Sequence, residues 1–156
     1  DGDVERPGRS QVQHEIRGID LLDGEIPRLR SVQHAVRVFR GEAAGHEVIV
    51  DGDNAAAPGP MLHLLLAVAS CTASDVVLIL GKMRVPPREF RVEVAGTRRE
   101  EEPRRYTAVH LDYRIAGDGI DEPRARRAID LSLEKYCSVI HSLAPDIRVT
   151  YGLALG

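Results

Sequence analysis

The sequence predicts an α+β fold, with strands arriving in pairs and two helices set between them in the order β–β–α–β–β–α–β. Three observations carry this. Apolar and polar residues alternate over Phe90–Ala95 and again over Val109–Ile115, the period of strands with one wet face. Two longer runs are helical, one apolar nearly all round and one amphipathic. The strands come two at a time, which favours largely antiparallel pairing over a doubly wound parallel sheet. Length and composition fit a single domain: 156 residues, 43% hydrophobic and 29% charged. A net charge of −3 is too mild to make nucleic acid or an anionic membrane an obligatory partner.

Residues 1–30 mix Gly, Pro and charge with only short apolar pieces such as Ile19-Asp20-Leu21-Leu22, and read as an N-terminal extension whose structure the sequence does not fix. The folded domain is expected over residues 31–156. Val36–Phe39 and Glu47–Val50 read as a hairpin around the turn-rich Gly41–Gly45. Asp51–Pro60 is a loop, and Pro60 suits the first position of a helix, where its missing N–H costs nothing. That helix runs to about Met83, with Pro86-Pro87 beyond it. The charged Arg98–Arg105 segment joins the two alternating strands as a solvated connection.

Asp121 is placed to cap the second helix, with Glu122 and Pro123 in its first turn. Small or apolar residues at Ala125, Ala128, Ile129, Ser132, Leu133, Tyr136, Cys137, Ile140 and Leu143 keep helical spacing until Pro145. The spacing predicts one helix through Cys137. Alternation at Ile147, Val149, Tyr151, Leu153 and Leu155 gives a final strand.

Met61–Leu80 is as long as a membrane span. Its centre, Ser70–Asp75, is polar, and a charge at mid-bilayer is expensive. It reads instead as the buried axis of a soluble fold. One sheet and one helix hardly cover every face of it, so a homodimer with this helix near the interface is expected. Residues 1–12 are polar with no apolar segment after them, and two cysteines do not staple a chain of this size. The expectation is the cytoplasm, with no membrane and no nucleic-acid partner.

Cys71 and Cys137 are the residues able to carry chemistry. Each can be a small buried hydrophobe, or the two can form a redox pair if their helices cross at about 6 Å between Cα atoms. Cys71 lies too deep in its helix to use the N-terminal dipole, so a reactive thiolate there needs a nearby cation. His63 is two turns away, roughly 12 Å along the axis, and lines the helix face. Neither a CxxC nor an HExxH spacing occurs and the six His are scattered, so no zinc site is expected, and there is no GxSxG.

Pro60, the run Leu64–Val77 with Ala69-Ser70-Cys71 inside it, Arg98-Arg99-Glu100, Pro103 and Glu134-Lys135-Tyr136-Cys137-Ser138-Val139 together resemble the OsmC/Ohr family, closest to its YhfA-like branch. The resemblance covers about Gly45 to the C-terminus. It implies an intertwined homodimer of α+β protomers, with sheets around two long central helices. It also implies a cysteine peroxidase that reduces organic hydroperoxides. By position, Cys71 corresponds to the peroxidatic thiol and Cys137 to the resolving thiol. Their disulfide is reopened by an external dithiol or lipoyl-type reductant, with no cofactor. In that family an Arg holds the thiolate and a Glu near the start of the first helix holds the Arg. The matching positions here are Val50-Asp51 and Met61-Leu62, leaving Arg37 and Arg40 as substitutes by location. A non-enzymatic dimer that binds a small apolar ligand or senses redox state is the alternative, and a structural dimer with both thiols in its core is a third.

Overall fold

Alternating strands need a dry surface to face, and the two helices supply it. The computed structural model describes residues 13–19, 29–35, 37–43 and 45–156. Its strands are β1 (Gln13–Ile19), β2 (Leu29–Ala35), β3 (Val38–Ala43), β4 (His46–Asp51), β5 (Glu89–Arg98), β6 (Tyr106–Ala116) and β7 (Arg148–Leu155). The helices are α1 (Pro60–Lys82), α2 (Glu122–Leu131) and the short α3 (Ser138–His141). One sheet has the order β1-β5-β6-β7, the other β2-β3-β4.

Both alternating segments are strands with the expected dry face. Phe90, Val92 and Val94 of β5 and Val109, Leu111, Tyr113 and Ile115 of β6 are buried, and their register sets Val94 opposite Leu111. Against this face lie Leu65, Val68, Val76 and Leu80 of α1 and Ala125, Ala128 and Ile129 of α2, forming one core. The mild composition is thus enough to give a single hydrophobic interior.

The hairpin falls slightly later than the sequence indicates. β3 and β4 pair antiparallel with Ala43 opposite His46, and Gly45 between them has φ +86°, a turn conformation glycine adopts without strain. Val36, the first residue of the strand expected from sequence, lies outside the described residues, as do residues 1–12 and 20–28 of the N-terminal segment. Gln13–Ile19, to which alternation assigned no element, pairs antiparallel with β5, setting Gln13 opposite Thr97.

Two further features depart from the sequence reading. The strand β7 pairs parallel to β6, Val109 opposite Val149 and Ile115 opposite Leu155. A parallel neighbour requires a crossover of a dozen residues or more, and the α2–α3 segment is that crossover. The predicted single helix through Cys137 is also broken. After α2 the backbone widens into a π turn over Ser132–Tyr136, Cys137 N–H bonds to the Ser132 carbonyl at 2.9 Å, and Cys137 itself is extended at φ −68°, ψ 97°. The chain re-enters a helix at Ser138, with the Cys137 sulfur accepting the Ile140 N–H at 3.5 Å. Single π turns of this kind are frequent at functional positions of α-helices.

The entrance to α1 is built by a carboxylate. Asp51 accepts the amides of Asp53, Ala55 and Ala56 at 2.9, 2.9 and 2.8 Å. Those backbone donors hold its carboxyl below the ordinary carboxylate range. Asn54 Oδ1 accepts the Gly59 N–H at 2.7 Å. A Cβ at Gly59 would stand 2.7 Å from that oxygen and 2.9 Å from the Asp51 carbonyl, so only glycine fits the step into Pro60.

Candidate functional site

In α1 the residues at i and i+4 share a face, and this sets Asp75 one turn beyond Cys71. The break after α2 brings the third member. With Cys137 extended rather than helical, its sulfur meets α1, and the donor atoms of Cys71, Asp75 and Cys137 all lie within 4.8 Å of one another. Both cysteines are free thiols. Cys71 is half-buried and Cys137 fully buried.

The surroundings are polar but sparse. Ser132, itself buried at the start of the π turn, donates from Oγ to Asp75 Oδ2 at 2.9 Å, so the turn is tied to α1 by the same carboxylate. Burial pushes the Cys137 thiol up from its ordinary 9.0 to about 12. The neighbouring Cys71 adds to that, and the Ile140 amide opposes it. Tyr113 reaches the site from β6. Only 1% exposed, its hydroxyl is the one buried side-chain polar atom without a hydrogen-bond partner among the described residues. Burial raises its pKa, Cys137 and Asp75 raise it further, and the adjacent Thr72 hydroxyl, short of hydrogen-bond geometry, lowers it. Thr72 Oγ1 donates to the Ala69 carbonyl at 3.0 Å.

The structure therefore brings together the two thiols the sequence singles out. It adds Asp75, Ser132 and Tyr113, which the sequence reading left among core and polar-island residues. The spacing of Cys71 and Asp75 on one helix is the signal that points to the carboxylate. The two arginines nominated by location are engaged elsewhere, Arg37 with Asp53 at 2.7 Å and Arg40 with Glu47 at 3.0 Å, both in the β3–β4 region. His63 points back along its own helix, Nδ1 lying 3.1 Å from the Gly59 carbonyl.

The helix that carries Cys71 is long and apolar enough to cross a membrane. Here its inner face, Leu65, Val68, Ala69, Thr72, Ala73, Val76, Ile79 and Leu80, is buried in the protein. Its outer face is different. Ser70, Ser74 and Leu78 follow one another down the helix as an exposed stripe, with Leu78 57% exposed.

The OsmC family profile, described as OsmC-like protein, matches residues 51–152, which include all three site residues. Protein YhfA of Escherichia coli strain K12 is 40% identical over 115 residues, covering 72% of this chain and 86% of that protein. Among solved structures, a hypothetical protein of Aquifex aeolicus is 25% identical with a TM-score of 0.72, covering 85% of this chain and 99% of its own. An organic hydroperoxide resistance protein OsmC from Legionella pneumophila has the same fold, with a TM-score of 0.61 over 96% of this chain and 99% of its own, at 11% identity. With two thiols facing across α1 and the crossover, and a family profile spanning both of them, the chain belongs to the OsmC-like family.

Proposed function

We propose that this protein is a thiol peroxidase that reduces organic hydroperoxides to alcohols and works as a homodimer. One observation carries the reading: the half-buried Cys71 and the fully buried Cys137 place their sulfurs within 4.8 Å of one another, the arrangement that two-step thiol chemistry needs. In the first step the Cys71 thiolate attacks the outer peroxide oxygen. The O–O bond breaks, the alkoxide leaves and takes a proton to become the alcohol, and Cys71 becomes a sulfenic acid. In the second, the Cys137 sulfur attacks the Cys71 sulfur and the hydroxide leaves. Asp75, close to both sulfurs, takes the Cys137 proton and returns it to that hydroxide, giving water and a disulfide. An external dithiol or lipoyl-type reductant restores both thiols by exchange. A pair of free thiols suits a reducing compartment such as the cytoplasm.

The exposed α1 stripe supports the homodimer. Serines at 70 and 74 allow a second helix to approach closely, and Leu78 gains cover. Family likeness adds the name of the Legionella protein, organic hydroperoxide resistance, borne on the same fold. A second reading, a redox sensor that is oxidised once without rapid turnover, is favoured by one feature: the charged neighbour of the thiols is a carboxylate, which opposes thiolate formation.

The test is direct. Fully reduced protein receives one equivalent of cumene hydroperoxide or hydrogen peroxide, and free thiols and intact mass are followed at short times. The expected result is rapid loss of both thiols and about two mass units per chain, faster with the organic peroxide, with Cys137→Ser trapping the sulfenic acid on Cys71. Oxidation over minutes without turnover by dithiol would favour the sensor. Thiols that survive both oxidants would end both readings.

A further inference from the structure

Two thiols and a carboxylate converge at this site, and none of the three meets a basic side chain in an ion pair among the described residues. Such a donor set is itself a complement to a cation. We propose that reduced Cys71, Asp75 and Cys137 form a binding site for a thiophilic divalent metal ion of the zinc class, and that disulfide formation expels the ion.

The chemistry selects the ion. Thiolates prefer zinc-class and softer metals over magnesium or calcium. Three protein ligands with a fourth position left to water is the pattern of open zinc sites. Zn–S bonds of about 2.3 Å in a tetrahedron set two sulfurs about 3.8 Å apart. The donor atoms here, all within 4.8 Å, need to close by only about 1 Å to meet that spacing.

Support comes from around the ligands. Ser132 Oγ donates to Asp75 Oδ2 at 2.9 Å, which leaves Oδ1 for the metal and fixes the carboxylate as outer partners of metal ligands do. The Tyr113 hydroxyl is buried and without a hydrogen-bond partner among the described residues, and lies near enough to Cys137 and Asp75 for both to act on it electrostatically. It is a donor available to a bound thiolate or to the metal's water. These residues come from α1, the π turn, β6 and the Cys137 kink, so the sequence displays only the Cys71–Asp75 step of the site as local spacing.

On binding, the two thiols release their protons to solvent and the metal takes two thiolates and one carboxylate. On oxidation, the two thiolates, one hydroperoxide and two protons give the disulfide, the alcohol, water and the free ion. Both sulfurs then lie in one bond and Asp75 remains as a single ligand.

The experiment needs no peroxidase activity. Chelator-treated, fully reduced protein is titrated with Co2+ and then with Zn2+ under anaerobic conditions. One ion per chain is expected, with a thiolate-to-cobalt charge-transfer band that zinc abolishes. Cys71→Ser and Cys137→Ser should remove the band, and Asp75→Asn should weaken affinity about 10-fold or more. Diamide oxidation of the wild type should release the ion, which guards against misfolding of a variant. No thiolate band in folded reduced protein, a band unchanged in either Cys variant, or equal retention after oxidation would overturn the proposal. A band in protein whose thiols resist hydroperoxides would leave this site standing and end the peroxidase reading. Rapid oxidation without a band would do the reverse.

Discussion

Cys137 is a thiol that the fold keeps protonated. Its native proton affinity is raised to about 12 by burial, so above about pH 9 the unfolded chain ionises this group while the native chain does not. The native state then binds more protons, and stability falls as pH rises from about 9 toward 12, by at most about 1.4 kcal/mol per pH unit for this group. Urea titrations at pH 8, 9 and 10 should show a declining unfolding free energy, and Cys137→Ala should flatten the decline below pH 10, before tyrosines join. An unchanged slope in the variant would mean that the sulfur carries no such penalty. At this scale the sequence names both thiols, through helical spacing and through family likeness. Asp75 is legible too, as the residue one turn after Cys71. The Tyr113 hydroxyl is not, because strand alternation marks Tyr113 only as a core residue and says nothing of which polar groups its ring tip reaches. Ser132 is hidden for a similar reason: in a helical pattern it counts as a small inward residue, and only the π turn aims it at Asp75.

Among the elements, β5 and β6 were readable because period-two alternation is strong over Phe90–Val94 and Val109–Ile115, and burial follows it residue by residue. Their pairing also explains a glycine. A Cβ at Gly96 would stand 2.4 Å from Tyr106 Cε1 and 3.0 Å from Leu65 Cδ2, and the Tyr106 ring is anchored by its hydroxyl donating to the Met61 carbonyl at 2.9 Å. Gly96→Ala is expected to cost about 1–3 kcal/mol by overpacking, read as a lower urea midpoint with unchanged slope. Wild-type stability would mean that the Tyr106 ring moves aside freely. The second helix departs from its sequence pattern in the C-terminal half, where α2 gives way to the π turn and α3. In the sequence, Ser132, Leu133, Tyr136, Cys137 and Ile140 keep an α-helical step, but the extra residue of the π turn shifts burial by one place, leaving Tyr136 48% exposed while Ser132 and Cys137 are buried. The direction of β7 was equally invisible, since alternation is the same for parallel and antiparallel strands.

For the whole molecule, the sequence anticipated an α+β domain around an apolar helix but not the division of its strands between two sheets, which depends on pairings between distant segments such as β1 with β5. The outer face of α1 bears on assembly. If Leu78 is covered by a second protomer, Leu78→Arg should turn a dimer into a monomer in light scattering while leaving monomer stability within about 0.5 kcal/mol, as for other surface changes. A dimer that survives the change would place the interface elsewhere. The kink at Cys137 has one more effect, on the unfolded chain. A bond between Cys71 and Cys137 would close a loop across the β5–β6 hairpin and all of α2. A closure of that length removes enough disorder from the denatured ensemble to favour folding by about 4 kcal/mol. In a domain of this size that corresponds to roughly 10 °C in melting temperature. Oxidation state would then become a thermal property: protein carrying the bond would outlast protein without it, and a reductant would restore both the thiols and the lower melting point.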